Sequence, residues 1–209
     1  MPRAGWQRMG AVQMTDDARR PGYFDDLYRD NPDPWRFETS DYEARKYDAT
    51  IAALPAGQYG AAVEVGCSIG VLTARLAARA DTVLGIDVAQ AAIDRAAVNC
   101  AALANVEFAR MTMPEAMPDG RFNLIMLSEV LYYFESPTLV TLAERLQRSC
   151  APSADIVMVH WLGPTPDYPH TGGSAVEAFM TATAPWTEAL RQTRHDDYRI
   201  DVLRVVRAR

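Results

Sequence analysis

Residues 63–70 read VEVGCSIG and decide the fold. The apolar run AAVEV at residues 61–65 predicts a short buried strand, and GVLTARLAARA at residues 70–80 has helical periodicity. Between them lies a turn with glycine at positions 66 and 70. A turn of this kind between a buried strand and a helix is typical of nucleotide-binding α/β folds. The stretch therefore predicts a ligand site at the carboxyl end of its strand.

Strands and helices alternate after this turn. Further strands are predicted at TVLGID (82–87), VEFARM (106–111), FNLIMLSE (122–129) and ADIVMVHW (154–161), with helices over 89–103 and 136–150. Such alternation predicts a mostly parallel sheet covered by helices on both faces. Two late strands, TEALRQT (187–193) and YRIDVLRVV (198–206), predict an antiparallel hairpin at the sheet edge. The fold class is therefore α/β, with seven strands.

Two helices precede the sheet. YFDDLYRD is ended by the prolines of NPDP, and a second helix begins at the capping residues Thr39–Ser40 and runs to Leu54. We expect residues 22–58 to form a helical cap, residues 22–209 to form a single domain, and residues 1–21 to be a flexible lead-in.

The composition excludes several classes of protein. No apolar run approaches the roughly 18 residues that span a bilayer, and a net charge of −6 without a basic run disfavours nucleic acid as a partner. Three cysteines without CxxC spacing disfavour disulfides and a metal cluster and favour the reducing cytoplasm. Lys46 is the only lysine beside twenty arginines, a bias that we assign to codon usage rather than to mechanism.

The turn narrows the choice of nucleotide. A dinucleotide site needs G-x-G-x-x-G, but the second and third of these positions are Ser68 and Val71. A P-loop needs a lysine after the glycines, and none follows. S-adenosylmethionine carries no phosphate, and its amino-acid part can lie across such a turn on backbone groups alone. This nucleoside is therefore the predicted cofactor, with S-adenosylhomocysteine as its product and no metal expected.

An acid at the end of the second strand supports this choice. Asp87 lies 23 residues after Glu64, close to the spacing of about 20 at which a carboxylate meets ribose hydroxyls. The alternative is that Asp87 caps the helix that begins near Ala89.

At this point the motifs VEVGCSIG, GID and FNLIMLSEVLYYF resemble those of class I S-adenosylmethionine-dependent methyltransferases, with a Rossmann-like fold. DPWRF before the long cap helix, together with SEVLYYF, is similar to the NodS-like N-methyltransferases, whose type member methylates a glucosamine nitrogen of a chitooligosaccharide. The resemblance covers roughly residues 22–206. It implies a small-molecule methyltransferase acting on an amino sugar or a related polar amine in secondary metabolism.

The resemblance also implies which residues contact the cofactor. Those at the methionine end are Glu64, Gly66, Cys67 and Gly70, and those around the ribose and adenine are Asp87, Val88, Met111 and Thr112. Ser128 is also assigned to the cofactor site, because it ends the fourth strand at the carboxyl edge of the sheet, where ligands bind. Trp35 closes over the cofactor or packs the cap helix; both readings stay open.

Methyl transfer needs a positioned acceptor with a free lone pair, so a base near the strand ends helps. We consider Glu129, Tyr132, Tyr133, His160 and Asp167, and assign catalysis to Glu129, His160 and Tyr132. Glu129 alternatively caps the next helix, and His160 is alternatively structural. Only one of the two adjacent tyrosines is expected to face the cleft. The long loop GPTPDYPHTGG predicts a lid over the substrate.

Three other functions compete. An O-methyltransferase acting on a sugar or secondary-metabolite hydroxyl depends more strongly on a base. A non-catalytic S-adenosylmethionine-binding protein is disfavoured because Glu64 and Asp87 are both present, and an oxidoreductase is disfavoured by the missing glycines. The oligomeric state does not follow from the sequence.

Overall fold

A computed structural model describes residues 22–206. The cap consists of α1 (Tyr23–Asp30) and α2 (Asp41–Ala52). The remaining elements are β1 (Tyr59–Val65), α3 (Val71–Leu76), β2 (Ala80–Asp87), α4 (Gln90–Asn99), β3 (Val106–Arg110), β4 (Phe122–Ser128), a 3₁₀ turn (Leu131–Tyr133), α5 (Ser136–Ser149), β5 (Cys150–Trp161), α6 (Gly172–Thr183), β6 (Thr187–Arg194) and β7 (Tyr198–Val205). The predicted lead-in, residues 1–21, lies outside the described residues, and the single-domain assignment stays a prediction.

The seven strands form one sheet in the order β3-β2-β1-β4-β5-β7-β6. The first five strands pair in parallel, and β7 runs antiparallel to both β5 and β6. The predicted fold, a mostly parallel sheet with an antiparallel edge hairpin, is therefore confirmed. Strand β1 lies between β2 and β4, so the crossovers diverge there, and a crevice opens at the carboxyl ends of these strands.

Alternation along the central strands builds one core on each face. In β4, Ile125 and Leu127 belong to the core under α5 and α6, whereas Leu124 and Met126 belong to the core under α2 and α3. Both faces are apolar because both are covered, which explains the continuous apolar runs in the sequence.

Helices α3 and α4 are shorter than predicted, since α4 ends at Asn99 rather than at residue 103. The periodicity of residues 70–80 suggested a helix to the end of that stretch, but α3 ends at Leu76 and β2 already begins at Ala80. The N–H of Tyr59 donates to the carbonyl of Arg79, so the backbone at the end of the predicted helix pairs with strand β1 instead of forming a helical turn. The N-terminus of α2 follows the prediction, because the Ser40 side chain accepts from the N–H of Glu43.

Candidate functional site

A cavity of about 630 Å³ lies at the carboxyl ends of β1, β2 and β4, beneath the cap and the loop after β5. Its size is within the range of about 300–1,000 Å³ typical of small-molecule sites. Eleven of the thirteen predicted site residues line it: Trp35, Glu64, Gly66, Cys67, Asp87, Val88, Met111, Thr112, Ser128, Glu129 and Tyr132. The fold thus brings nearly all of the predicted residues together, and their roles toward a ligand stay predictions.

The turn after β1 is held from two sides. Gly66 and Cys67 both donate their N–H groups to the carbonyl of Ile86, at 2.8 and 3.0 Å. Ser68 has a left-handed backbone, with φ of 51°, although it is not a glycine. Its N–H donates to Oδ2 of Asp87 at 2.9 Å, and its hydroxyl lies 2.5 Å from the hydroxyl of Tyr28. These contacts hold a serine where the dinucleotide motif has glycine.

Asp87 organises the neighbouring backbone. Its second oxygen, Oδ1, accepts from the N–H of Ala89 at 2.9 Å, immediately before α4. Burial raises the pKa of its carboxyl group, and the backbone hydrogen bonds oppose that rise. The alternative, that Asp87 caps α4, is wrong: the N-cap residue is Ala89, without a side-chain cap hydrogen bond, and at the start of this helix Asp87 accepts only from the N–H of that residue. Because each carboxylate oxygen has two lone pairs, Asp87 can still accept hydrogen bonds from a ligand in the cavity.

Glu64 is a buried acid with a single hydroxyl partner. Its side chain is 2% exposed, and Oε2 accepts from the Thr73 hydroxyl at 2.5 Å. Burial raises its pKa to about 8, with a smaller contribution from Asp87. Between residues 22 and 206, no basic side chain forms an ion pair with it. A cationic group in the cavity would stabilise its ionised form.

Aromatic side chains of the cap line one part of the cavity. Trp35 stacks on Phe37 with ring centroids 5.6 Å apart and meets the ring of Tyr28 edge-on at 5.7 Å. Trp35 therefore both packs the cap and lines the cavity, so the two readings are compatible.

Gly70 is one of two predicted site residues that do not line the cavity. It precedes α3 with φ of 82°, and a Cβ there would lie 3.1 Å from the Cβ of Ala96 and 3.2 Å from Sγ of Cys100. The close approach of α3 and α4 requires this glycine, and its predicted cofactor contact is not supported.

Glu129 is the centre of a hydrogen-bond network at the end of β4. Its Oε1 accepts from Nζ of Lys46 at 2.9 Å, and its Oε2 accepts from the N–H of Trp161 at 2.9 Å and the hydroxyl of Tyr132 at 3.2 Å. Burial alone would raise the pKa of Glu129, but Lys46, His160 and these hydrogen bonds lower it. The carboxylate is thus stably ionised and joins α2, β5 and the 3₁₀ turn.

Lys46 is the site residue that sequence reasoning missed. Its side chain is 3% exposed, lines the cavity, and lies between the carboxylates of Glu129 and Glu43, each 2.9 Å away at the nearest oxygen. Burial alone would lower its pKa, but the two carboxylates outweigh burial and raise it. Codon usage does not explain a lysine so placed. The sequence signal that could have identified Lys46 was helical spacing, because the buried face of α2 comprises Glu43, Lys46, Tyr47 and Thr50.

His160 is the other predicted residue outside the cavity lining. It is fully buried, and its Nε2 accepts from the N–H groups of Val130 and Leu131 at 3.3 and 3.0 Å. Burial lowers its pKa to about 4, so the ring is neutral at pH 7. Its lone pair is already used by the backbone of the 3₁₀ turn, so it supports that turn and is not positioned as a base.

Tyrosines of the 3₁₀ turn and of the loop after β5 line another part of the cavity. Tyr132 and Tyr133 both line it, contrary to the expectation that only one would, and their rings meet edge-on with centroids 4.7 Å apart. Tyr168 from the loop after β5 stacks on Tyr132 at 5.3 Å with an angle of 3° and meets Tyr133 edge-on. The predicted lid loop thus reaches the cavity, where Asp167 is also found.

Residues 22–206 contain neither a cluster of metal-ligating side chains nor a membrane-spanning helix. No group of three or more histidine, cysteine or acidic side chains is arranged to hold a metal ion. No helix in this range has the length and apolar character needed to cross a membrane.

Comparison with known proteins places the chain in a family. Residues 24–158, more than half of the chain, match the family model described as "Nodulation protein S (NodS)". Over 127 residues the chain is 30% identical to nodulation protein S of Rhizobium tropici, covering 60% of this chain and 53% of that protein. The chain spans about half the length of the curated relatives it matches.

Solved structures share the fold. A putative methyltransferase from Pseudomonas syringae is 28% identical, with a TM-score of 0.67 over 78% of this chain and 98% of that one. The N-methyltransferase NodS from Bradyrhizobium japonicum WM9, in complex with S-adenosyl-L-homocysteine, is 22% identical, with a TM-score of 0.72 over 86% and 96% of the two chains. These matches confirm the predicted class I methyltransferase fold, and the family match shows that the chain belongs to the NodS family.

Proposed function

We propose that the protein is an S-adenosylmethionine-dependent methyltransferase that methylates the nitrogen of a small polar amine, such as an amino sugar. The observation that carries the proposal is the cavity at the carboxyl ends of β1, β2 and β4. One half is lined by the residues predicted for the cofactor, and the other by acids and tyrosines. A cytoplasmic location is part of the proposal, because Cys67, Cys100 and Cys150 are buried and free, as in a reducing compartment.

The cofactor half fits a cationic nucleoside without phosphates. Glu64 would bind the ammonium group of the methionine part, because among residues 22–206 the Thr73 hydroxyl is the one side-chain partner of this buried acid. Asp87 would accept from the ribose hydroxyls with its remaining lone pairs, and Met111 and Val88 would flank the adenine. When bound, S-adenosylmethionine supplies a methyl group already activated by its sulfonium.

The acceptor half favours a positively charged or neutral ligand. Glu43, Glu129 and Asp167 line it with Lys46 as the single basic residue, so the charges sum to a negative value. Tyr132, Tyr133 and Tyr168 offer ring faces and edges against which a sugar ring or an ammonium group can pack. The protein would orient the acceptor in line with the methyl group and exclude water.

Two measurements test the proposal. Calorimetry with S-adenosylhomocysteine and, separately, with NAD should show binding of the first alone, and the reverse result would overturn the assignment. Labelled S-adenosylmethionine should then transfer its methyl group to members of a panel of amines. Transfer only to hydroxyl acceptors would instead identify the O-methyltransferase alternative, and cofactor binding without transfer would identify a binding protein.

A further inference from the structure

The proposed N-methylation requires a proton acceptor, because an amine arrives at neutral pH as an ammonium ion without a free lone pair. The three residues predicted for catalysis already form hydrogen bonds within the protein. His160 Nε2 accepts from two backbone amides, Glu129 has three donors, and Tyr132 donates to Glu129. Burial raises the pKa of Tyr132 well above its ordinary value, so its hydroxyl keeps its proton.

Glu43 and Asp167 are the other acids of the acceptor half of the cavity, and of the two Glu43 is buried whereas Asp167 is exposed to solvent. Glu43 lies on the inward face of α2, is 3% exposed, and lines the cavity beside Lys46 and Glu129. Its Oε1 accepts from Nζ of Lys46 at 3.1 Å. Its Oε2 lies 2.9 Å from the same nitrogen but accepts no directed hydrogen bond from any residue between 22 and 206. Glu43 therefore has one carboxylate oxygen without a hydrogen bond from the described residues, whereas both oxygens of Glu129 already accept hydrogen bonds.

The electrostatics of the cluster favour uptake of one proton. Glu43, Lys46 and Glu129 together carry one net negative charge, so a single proton makes the buried cluster neutral. Burial raises the pKa of Glu43; Lys46 opposes the rise, and Glu129 and Asp33 add to it. Tyr42 and Tyr47 of the same helix also face this carboxylate, and burial keeps both protonated. The proton would therefore go to Glu43 rather than to Glu129, whose pKa is lowered.

We propose that Glu43 accepts the proton of the acceptor ammonium in the methyl transfer proposed above. The carboxylate takes one proton from R–NH₃⁺, leaving R–NH₂ and a neutral carboxyl group. The nitrogen lone pair then forms the N–C bond to the methyl group while the C–S bond breaks and its electron pair stays on sulfur. The products are R–NH₂⁺–CH₃ and S-adenosylhomocysteine, and Glu43 returns its proton to solvent.

The test compares Glu43→Gln and Glu43→Asp with Asp41→Asn, a control on an exposed acid of the same helix. Calorimetry with S-adenosylhomocysteine and thermal unfolding first verify that each variant folds and binds the cofactor product. D-Glucosamine is the probe amine, and methyl transfer to it is measured from pH 6 to pH 10. We expect Glu43→Gln to lose at least about 100-fold in rate at pH 7. The deficit should shrink as pH rises, because the free amine then forms in solution.

Glu43→Asp should lose less than Glu43→Gln, and Asp41→Asn should match the unmodified protein. A Glu43→Gln rate that is unchanged, or that is reduced equally at every pH, would overturn the proposal. If the unmodified protein binds S-adenosylhomocysteine but methylates neither glucosamine nor any amine of the panel, this proposal fails while the cofactor assignment stands. If S-adenosylhomocysteine does not bind, the proposed function itself fails.

Discussion

Nζ of Lys46 lies 2.9 Å from Oε1 of Glu129, so a buried ion pair joins cap helix α2 to the end of strand β4. The backbone of Glu129 is left-handed, with φ of 55°, which a non-glycine residue adopts only where its surroundings hold it. The cap is thus fixed to the edge of the sheet where the cavity opens.

Replacing Lys46 by methionine should lower the free energy of unfolding by about 3–5 kcal/mol at pH 7, because two buried carboxylates lose their shared cation. Urea unfolding measures this change. The control is Arg29→Ala, which removes an exposed ion pair with Asp26 and should cost no more than about 1 kcal/mol. Equal losses for the two variants would show that the buried pair adds no stability.

Gly66→Ala should destabilise the fold by about 2 kcal/mol or more. The new Cβ would lie 2.1 Å from Cγ1 of Val130, and the backbone φ of 76° already disfavours any side chain. Adding Val130→Ala should restore part of the loss, which a double-mutant cycle in urea detects as a coupling energy. Gly57→Ala is the control, since a Cβ there meets nothing within 4 Å. Additive effects at positions 66 and 130 would contradict the contact.

Asp87→Ala should weaken S-adenosylhomocysteine binding by about 1–3 kcal/mol, the range for loss of a charge-assisted hydrogen-bond partner. The N–H groups of Ser68 and Ala89 also lose their acceptor, so the turn itself loosens. Calorimetry gives the affinity, and Asp94→Ala on the exposed side of α4 is the control. An unchanged affinity for Asp87→Ala would remove Asp87 from the cofactor site.

His160 should make stability fall as the solution is acidified. The unfolded histidine titrates near pH 6.5, whereas burial lowers the pKa of the folded one to about 4, so the unfolded state takes up the proton first. The contribution of His160 to the free energy of unfolding is complete above pH 6.5. It is lost between pH 6.5 and pH 4, and the total loss is roughly 3 kcal/mol. The difference between the unmodified protein and His160→Gln, measured by urea unfolding across this range, isolates the effect. A constant difference would mean that the ring is accessible to protons in the folded state.

The sheet and much of the site could be predicted because both depend on short-range patterns. The apolar runs mark the strands, and parallel strands bring their carboxyl ends to one edge, so Glu64, Asp87 and Ser128 had to lie near one another. Period-two alternation along β5 also indicates that the side chain of His160 lies in the core. It shares a side of β5 with Ile156 and Met158, which belong to the core under α5 and α6.

The contacts between the cap and the sheet could not be predicted in the same way. The Lys46–Glu129 pair joins residues 83 positions apart, and it depends on how α2 sits on the sheet rather than on any local pattern. The helix that Gly70 approaches could not be predicted for a related reason. A glycine in a turn indicates a close approach, but the sequence does not say whether a ligand or another helix makes it.

The isolation of Lys46 also gives the chain a built-in chemical reporter. It is the only lysine in the sequence, and its ammonium group is enclosed by two carboxylates beneath the cap. An amine-reactive reagent that enters the cavity can therefore acylate a lysine of this protein only when Nζ of Lys46 separates from Glu43 and Glu129. The rate of that acylation, read by mass spectrometry of the peptide around position 46, reports how often these ion pairs open.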